Sequence, residues 1–99
     1  MHVGTLEVRL LVRESRSLKD KRQVVKSIMD RLRNGFNVSV AEVGARDHLK
    51  LAVLGVALVG EEPGHVKGTL EQIANALRRH PVAEFVDCRS SVVNSDEWA

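Results

Sequence analysis

The sequence predicts an α+β fold of ferredoxin-like topology, with the element order β-α-β-β-α-β. The chain begins with the alternating pattern of a strand, and two later segments have helical periodicity. Each of these two segments is preceded and followed by a strand pattern. Two such βαβ halves with right-handed crossovers form one four-stranded antiparallel sheet of strand order 4-1-3-2, with both helices on one face. We expect a single domain over residues 1–99, of which residues 94–99 are a frayed tail.

The first strand and the first helix have the clearest patterns. The first strand alternates with a period of two, and its inward positions are Leu6, Val8, Leu10 and Val12. Ser17 can cap the helix that follows, with Asp20 as the carboxylate of a capping box. The helix is expected to end at Asn34-Gly35, because glycine suits the left-handed conformation of a C-cap. Its core face is one arc of the helical wheel, made of Leu18, Val25, Ile28, Met29 and Leu32.

The second half of the chain repeats this order with weaker signals. A second strand is predicted over residues 36–41, turn formers at 44–47, and a third strand over 49–59 that Gly60 closes. The third strand is apolar on both parities, as a central strand is expected to be. Pro63 fits the first turn of the second helix, whose apolar stripe is Val66, Leu70, Ile73 and Leu77. Pro81 stops that helix, and a last strand is predicted over residues 83–93.

The composition indicates a globular protein of the cell interior. The chain is 43% hydrophobic and 28% charged, which argues against intrinsic disorder. Its single cysteine, Cys88, excludes an intramolecular disulfide and a zinc site built from several thiolates. The N-terminal residues do not resemble a signal peptide, and the longest apolar run is well short of the roughly 20 residues that span a bilayer. We therefore expect a cytoplasmic protein with no membrane partner.

Positive charge is concentrated in one segment. Residues 9–33 contain nine Lys or Arg and three acids, a local charge of +6, although the whole chain carries only +2. The remaining residues together carry −4. A local field of this kind attracts polyanions, while the alternative interpretation is an ordinary solvated helix face.

Several segments resemble the bacterial YlxP-like family. They are Ser17-Leu18-Lys19-Asp20-Lys21-Arg22, residues 24–27, residues 31–34 and residues 36–43, and the resemblance continues through 55–57. It covers nearly the whole chain and implies a ferredoxin-like fold and a cytoplasmic protein of unassigned function, with no catalytic residues to transfer. Members of that family are often encoded near translation and ribosome-maturation genes, so the resemblance suggests ribosomal or precursor RNA as a partner.

A basic cluster on the first helix is the candidate nucleic-acid-binding site. Four of its members lie in a narrow arc beside the apolar stripe of the helix, and two more lie in the preceding connection. Lys19, Arg22 and Lys26 have no acid at i,i+4 spacing on their own stripe in this interpretation. We expect phosphate contacts from Arg13, Arg16, Lys19, Arg22, Lys26 and Arg33. Base stacking on the sheet is not expected, because the two central strands contain no aromatic residue.

Self-association is the competing interpretation. Two helices cover only one face of the sheet, so one of the two apolar rows of the third strand must face outward. The outward row is either Leu51, Val53, Ala57 and Val59 or Ala52, Leu54, Val56 and Leu58, and it lies beside Leu11 of the first strand. The candidate self-association residues are Leu11, Leu51, Val53, Ala57 and Val59. A homodimer can form through this open sheet face or through an exposed edge strand, and paired sheets can enclose a small-ligand site.

Catalytic and metal sites are not expected. The four histidines are scattered and lack the spacing of metal ligands. Ser15 and Ser17 have no identifiable base, and Cys88 is expected to be a small core or edge-strand residue. We therefore predict a non-catalytic protein without a metal or cofactor.

Overall fold

The computed structural model describes residues 1–98, with side chains described through residue 96. Its elements are β1 (His2–Leu11), α1 (Leu18–Gly35), β2 (Ser39–Gly44), β3 (Leu51–Gly60), α2 (Pro63–Arg78), β4 (Glu84–Asn94) and a 3₁₀ helix (Ser95–Trp98). The four strands form one antiparallel sheet in the order β2-β3-β1-β4, which is the predicted order read from the other edge. The predicted α+β fold is confirmed.

Both helices pack on one face of the sheet. The even-numbered residues of β1 and β3 point toward them, and Val8, Leu10, Ala52 and Leu54 are completely buried. These side chains meet the apolar stripes of the helices, which are Val25, Ile28 and Leu32 of α1 and Val66, Leu70, Ile73, Ala74 and Leu77 of α2. The odd-numbered residues of the same strands lie on the other face, which no helix covers and which we call the open face.

The N-terminus of α1 is capped as predicted, and its C-terminus is not. The Ser17 hydroxyl accepts the amide hydrogen of Asp20 at 3.1 Å, and the Asp20 carboxylate accepts that of Arg16 at 3.1 Å. At the other end, the expectation of a left-handed glycine is wrong, because no glycine has a positive φ. Gly35 stays helical, and the extended Phe36 ends the helix by donating its N–H to Leu32 O at 2.9 Å.

Strand boundaries differ from the prediction mainly around β2. The predicted start at residue 36 is wrong, because Phe36 caps α1 and the N–H of Val38 donates to Phe36 O in a tight turn. The strand begins instead at Ser39 and continues to Gly44. At the end of the chain, where a frayed tail is expected from residue 94, β4 includes Asn94 and a 3₁₀ helix follows.

No helix in the described part of the chain is both long enough and apolar enough to cross a bilayer.

Candidate functional site

Half of the predicted RNA-contacting cations are paired with acids. Arg13 Nε lies 2.6 Å from the Glu84 carboxylate. Asp30 receives two cations, Lys26 Nζ at 3.1 Å and Arg33 Nη1 at 3.5 Å. The expectation that Lys26 has no acidic partner at i,i+4 is therefore wrong, since Asp30 borders the basic arc of the helix and its short side chain reaches back to Lys26.

The four basic residues on one flank of α1, Lys19, Arg22, Lys26 and Arg33, form what we call the basic stripe, and Arg33 shows where it lies. Its Nη2 donates to the main-chain oxygen of Val40 at 2.9 Å. Val40 belongs to β2, the strand at one edge of the sheet. The stripe of α1 therefore runs along the outer flank of the helix, beside the free edge of β2.

Three of the predicted cations are not paired with an acid among the described residues. Arg16, Lys19 and Arg22 are exposed, and their side chains make no ion pair or hydrogen bond with other described residues. We call these three residues the basic triad. Arg16 directly precedes the helix cap and the other two lie in the first half of α1, so the triad occupies one end of the basic stripe.

The fold neutralises much of the charge that the sequence concentrates in residues 9–33. Three ion pairs bring acids from the rest of the chain to this segment: Arg9–Asp87, Arg13–Glu84 and Lys21–Glu42. The hydrogen bond from Arg9 lowers the pKa of Asp87 below its ordinary value of 3.8, because the ion pair stabilises the charged carboxylate. The exposed positive charge is consequently smaller than the local sum of +6 indicates.

Lys21 is a buried structural residue that the sequence interpretation missed. Its side chain is 0% exposed, and Nζ donates to Ala45 O at 2.7 Å, Leu51 O at 3.0 Å and Arg46 O at 3.2 Å. An ammonium group has three protons, so its donors are fully used. The helical wheel carried the signal, because position 21 lies within the apolar arc, three residues after Leu18.

Glu42 completes this buried site. Its Oε2 lies 3.6 Å from Lys21 Nζ, which is too far for a hydrogen bond, and no other described group donates to that oxygen. The pair holds the loop between β2 and β3, where Ala45 adopts a left-handed φ of 56°. Lys21 and Glu42 both fall in the segments that resemble the YlxP-like family, and here their role is to hold the fold together.

Two histidines order the starts of strands. His48 Nδ1 accepts the amide hydrogens of Lys50 and Leu51, at 3.0 and 2.9 Å. His80 Nδ1 accepts those of Val82 and Ala83, at 3.2 and 3.0 Å. Within the described chain, no three His, Cys, Asp or Glu side chains converge as a metal-binding group would.

The His80 contacts predict a pH effect on stability. Partial burial, with a smaller contribution from Arg31, lowers the pKa of His80 below its ordinary value of 6.5. The unfolded chain therefore binds the proton first as the pH falls, and stability should decrease from about pH 6.5 downward through the folded-state pKa. Unfolding by urea across this range should show a decrease that is smaller in His80→Asn, because the amide oxygen replaces Nδ1 as acceptor but does not titrate.

His65→Asn is the matched control for this effect, since His65 is exposed on α2 and its ring makes no hydrogen bond to other described residues. An equal flattening of the pH profile in both variants would contradict the role assigned to His80.

The open face contains a shallow trough with a floor of small side chains. One row crosses all four strands in register, through Ser39, Ala57, Thr5 and Ser91. The neighbouring row is Ala41, Gly55, Glu7 and Arg89, in which the last two side chains lie 3.7 Å apart. These residues and Val43 line a concavity of about 790 Å³.

The predicted self-association residues are on this face but are unequally exposed. Val53 is only 8% exposed and Val59 is 61% exposed. Leu11, Leu51 and Ala57 are half-buried. Ala57 alone of the five lies in the trough. The set is therefore an interrupted apolar row and not a continuous exposed strip.

Comparison with known proteins agrees with the resemblance noted in the sequence. The family model described as "Protein of unknown function (DUF503)" matches residues 3–90, a range that contains both helices and at least part of every strand. The uncharacterized protein YlxP of Bacillus subtilis (strain 168) is 30% identical over 82 residues, covering 83% of this chain and 89% of that protein. The chain therefore belongs to the DUF503 family, whose members include YlxP-like proteins of unknown function.

Proposed function

We propose that the protein is a non-catalytic RNA-binding protein that contacts the phosphate backbone through the outer flank of α1. The observation that supports this most directly is the basic triad, three exposed cations without partners among the described residues. The amides at the N-terminus of α1 favour an anion at the same end of the helix. Ribosomal or precursor RNA in the cytoplasm is the partner class we propose.

The paired cations contribute less to this surface. Arg13 is neutralised by Glu84, whereas Lys26 and Arg33 share the single carboxylate of Asp30, so that one positive charge remains there. Exposed ion pairs stabilise a protein by only about 0–1 kcal/mol, so an incoming phosphate can compete for either cation. We therefore propose about four phosphate contacts, three from the triad and one from the Lys26–Arg33 pair.

The test is the salt dependence of binding to structured RNA. The logarithm of affinity should fall with the logarithm of salt concentration with a slope of roughly −3 to −4 for four contacts. Replacing Arg16, Lys19 and Arg22 together by Gln should reduce the magnitude of that slope by about two to three and weaken binding to all sequences alike. Fluorescence anisotropy at several salt concentrations measures both quantities.

The control variant removes the same charge away from the triad, through Gln at Arg31, Lys67 and Arg79; Arg31 lies near His80, at the other end of α1. Arg78 is unsuitable for this control because its guanidinium stacks on the Phe85 ring, 4.6 Å from the centroid. The control should keep the wild-type slope. Equal losses in the two triple variants, or the absence of RNA binding by the wild type at low salt, would refute the proposal.

Self-association through the open face is a second candidate function. The trough favours it, because small side chains on four adjacent strands leave room for groups from another molecule. In this alternative a second copy contacts the row Leu11, Leu51, Val53, Ala57 and Val59, or a small ligand occupies the trough. Ala57 is the key position in either case, since it lies in the trough between Ser39 and Thr5 of the neighbouring strands.

A further inference from the structure

The two edges of the sheet are protected to very different degrees. The β2 edge is short, from Ser39 to Gly44, and its register with β3 shifts between Glu42 and Gly44. Arg33 covers the start of β2 by donating to Val40 O. Short length, a bulge and a long cationic side chain are the features by which proteins prevent edge-to-edge pairing.

The β4 edge has less of this protection, because its register shift lies before Asp87 and Arg89 is the one long cationic side chain on the strand. It is 11 residues long, and the stretch from Asp87 to Asn94 keeps one register with β1. Among the described residues, no side chain and no other element makes a hydrogen bond to the main chain of this stretch on the side away from β1. It contains no proline or lysine, and small side chains at Cys88, Ser90 and Ser91 leave its backbone accessible.

We propose that the free edge of β4 pairs antiparallel with β4 of a second copy, joining two four-stranded sheets into one of eight strands. Such pairing supplies partners for the outward amide and carbonyl groups of β4 without any rearrangement of the fold. The contact does not involve the basic triad, and it meets the trough of the open face only at its β4 end, where Arg89, Ser90 and Ser91 line it. It can therefore exist whether or not the proposed RNA binding does.

The charges of the strand select a register. In a two-fold antiparallel pair each contact occurs twice, so the positions that face one another are symmetric about the axis. An axis at Cys88 places Asp87 opposite Arg89 of the partner subunit, and Arg89 opposite the partner subunit's Asp87. Opposite charges on directly facing strand positions are favourable, and like charges there are unfavourable. Two such pairs form in this register.

The proposed contact is small. One strand pair buries less than the roughly 1,200 Å² of typical stable interfaces, so the dimer should be weak and concentration-dependent. Light scattering of the wild type should show a monomer at low micromolar concentration and a growing dimer fraction at high micromolar concentration. A monomer throughout that range would overturn the proposal.

Charge exchange tests the register itself. Asp87→Arg and Arg89→Asp should each remove the dimer, because each places like charges opposite one another across the axis. An equimolar mixture of the two variants should restore it as a heterodimer, since both facing pairs then join an arginine of one variant to an aspartate of the other. If each variant lost the dimer only because an ion pair within its own chain was broken, mixing the two variants would not restore the dimer. A mixture that stays monomeric would therefore refute this register.

The single native cysteine provides a second readout. Cys88 lies on the proposed axis, so a short bismaleimide should cross-link two wild-type chains, whereas a Cys88→Ser variant carrying Ser27→Cys on α1 should not be cross-linked. A Cys88→Ser variant carrying Ala57→Cys reports on the open face. Preferential cross-linking through position 57 would overturn the edge contact and favour face-to-face association instead.

Discussion

Replacing Lys21 by methionine should lower the free energy of unfolding by about 3–5 kcal/mol, the largest effect we expect from a single substitution. The methionine fills similar space but donates no hydrogen bonds. The carbonyls of Ala45 and Arg46 in the loop and of Leu51 at the start of β3 then lose their donor. The largely buried Glu42 carboxylate loses the one cation that forms an ion pair with it among the described residues. Urea unfolding followed by circular dichroism measures the change.

Two further variants identify the cause of that loss. Lys26→Met removes a lysine that is 77% exposed and should cost less than about 1 kcal/mol. Adding Glu42→Leu to Lys21→Met should recover part of the loss, because the buried carboxylate is then no longer unpaired. Recovery should stay incomplete, since the loop carbonyls still lack a donor. A Lys21→Met protein as stable as Lys26→Met would contradict the structural role of Lys21.

The fold was predictable from the sequence because each element carried an independent local signal. As the sequence predicted, the even-numbered residues of β1 from Leu6 to Leu10 face the core, Ser17 caps α1, and Pro63 lies in the first turn of α2. The helix ends at Gly35 as predicted, but the predicted left-handed cap there and the predicted start of β2 were wrong for one reason. Phe36 and Val38 have the alternation of a strand, but they pack against the core from the turn that follows the helix. Alternation alone does not distinguish a strand from a turn whose apolar residues pack against the core.

The candidate site was less predictable because ion pairing depends on long-range contacts. Asp87 and Glu84 are more than seventy residues from the arginines they neutralise, and only the pairing of β4 with β1 brings them together. Lys21 was included in the charge sum of residues 9–33 although its wheel position is apolar. A sum of charges along the chain treats a buried lysine and a surface lysine alike, so it overestimates the field at the surface.

Gly4→Ala should destabilise the protein by about 1–3 kcal/mol, the cost of inserting a group into a packed core. Gly4 lies on the helix-covered side of β1, and a Cβ there would be 2.5 Å from Val66 Cγ1 and 3.1 Å from Leu70 Cδ1. Val66 is completely buried, and its branched side chain has few alternative rotamers, so α2 would have to move away from the sheet. Thermal and urea unfolding both measure this loss.

Gly68→Ala is the matched control, because the same added methyl group meets no atom within 4 Å. It lies in α2 itself, where alanine is favoured over glycine by about 0.5–1 kcal/mol, so this variant should be more stable than the wild type. The two substitutions should therefore have opposite signs. Val66→Ala should also cost less stability in the Gly4→Ala background than in the wild type, because the smaller side chain makes room for the new methyl group. Additive effects of the two changes would show that Gly4 does not set the distance between α2 and the sheet.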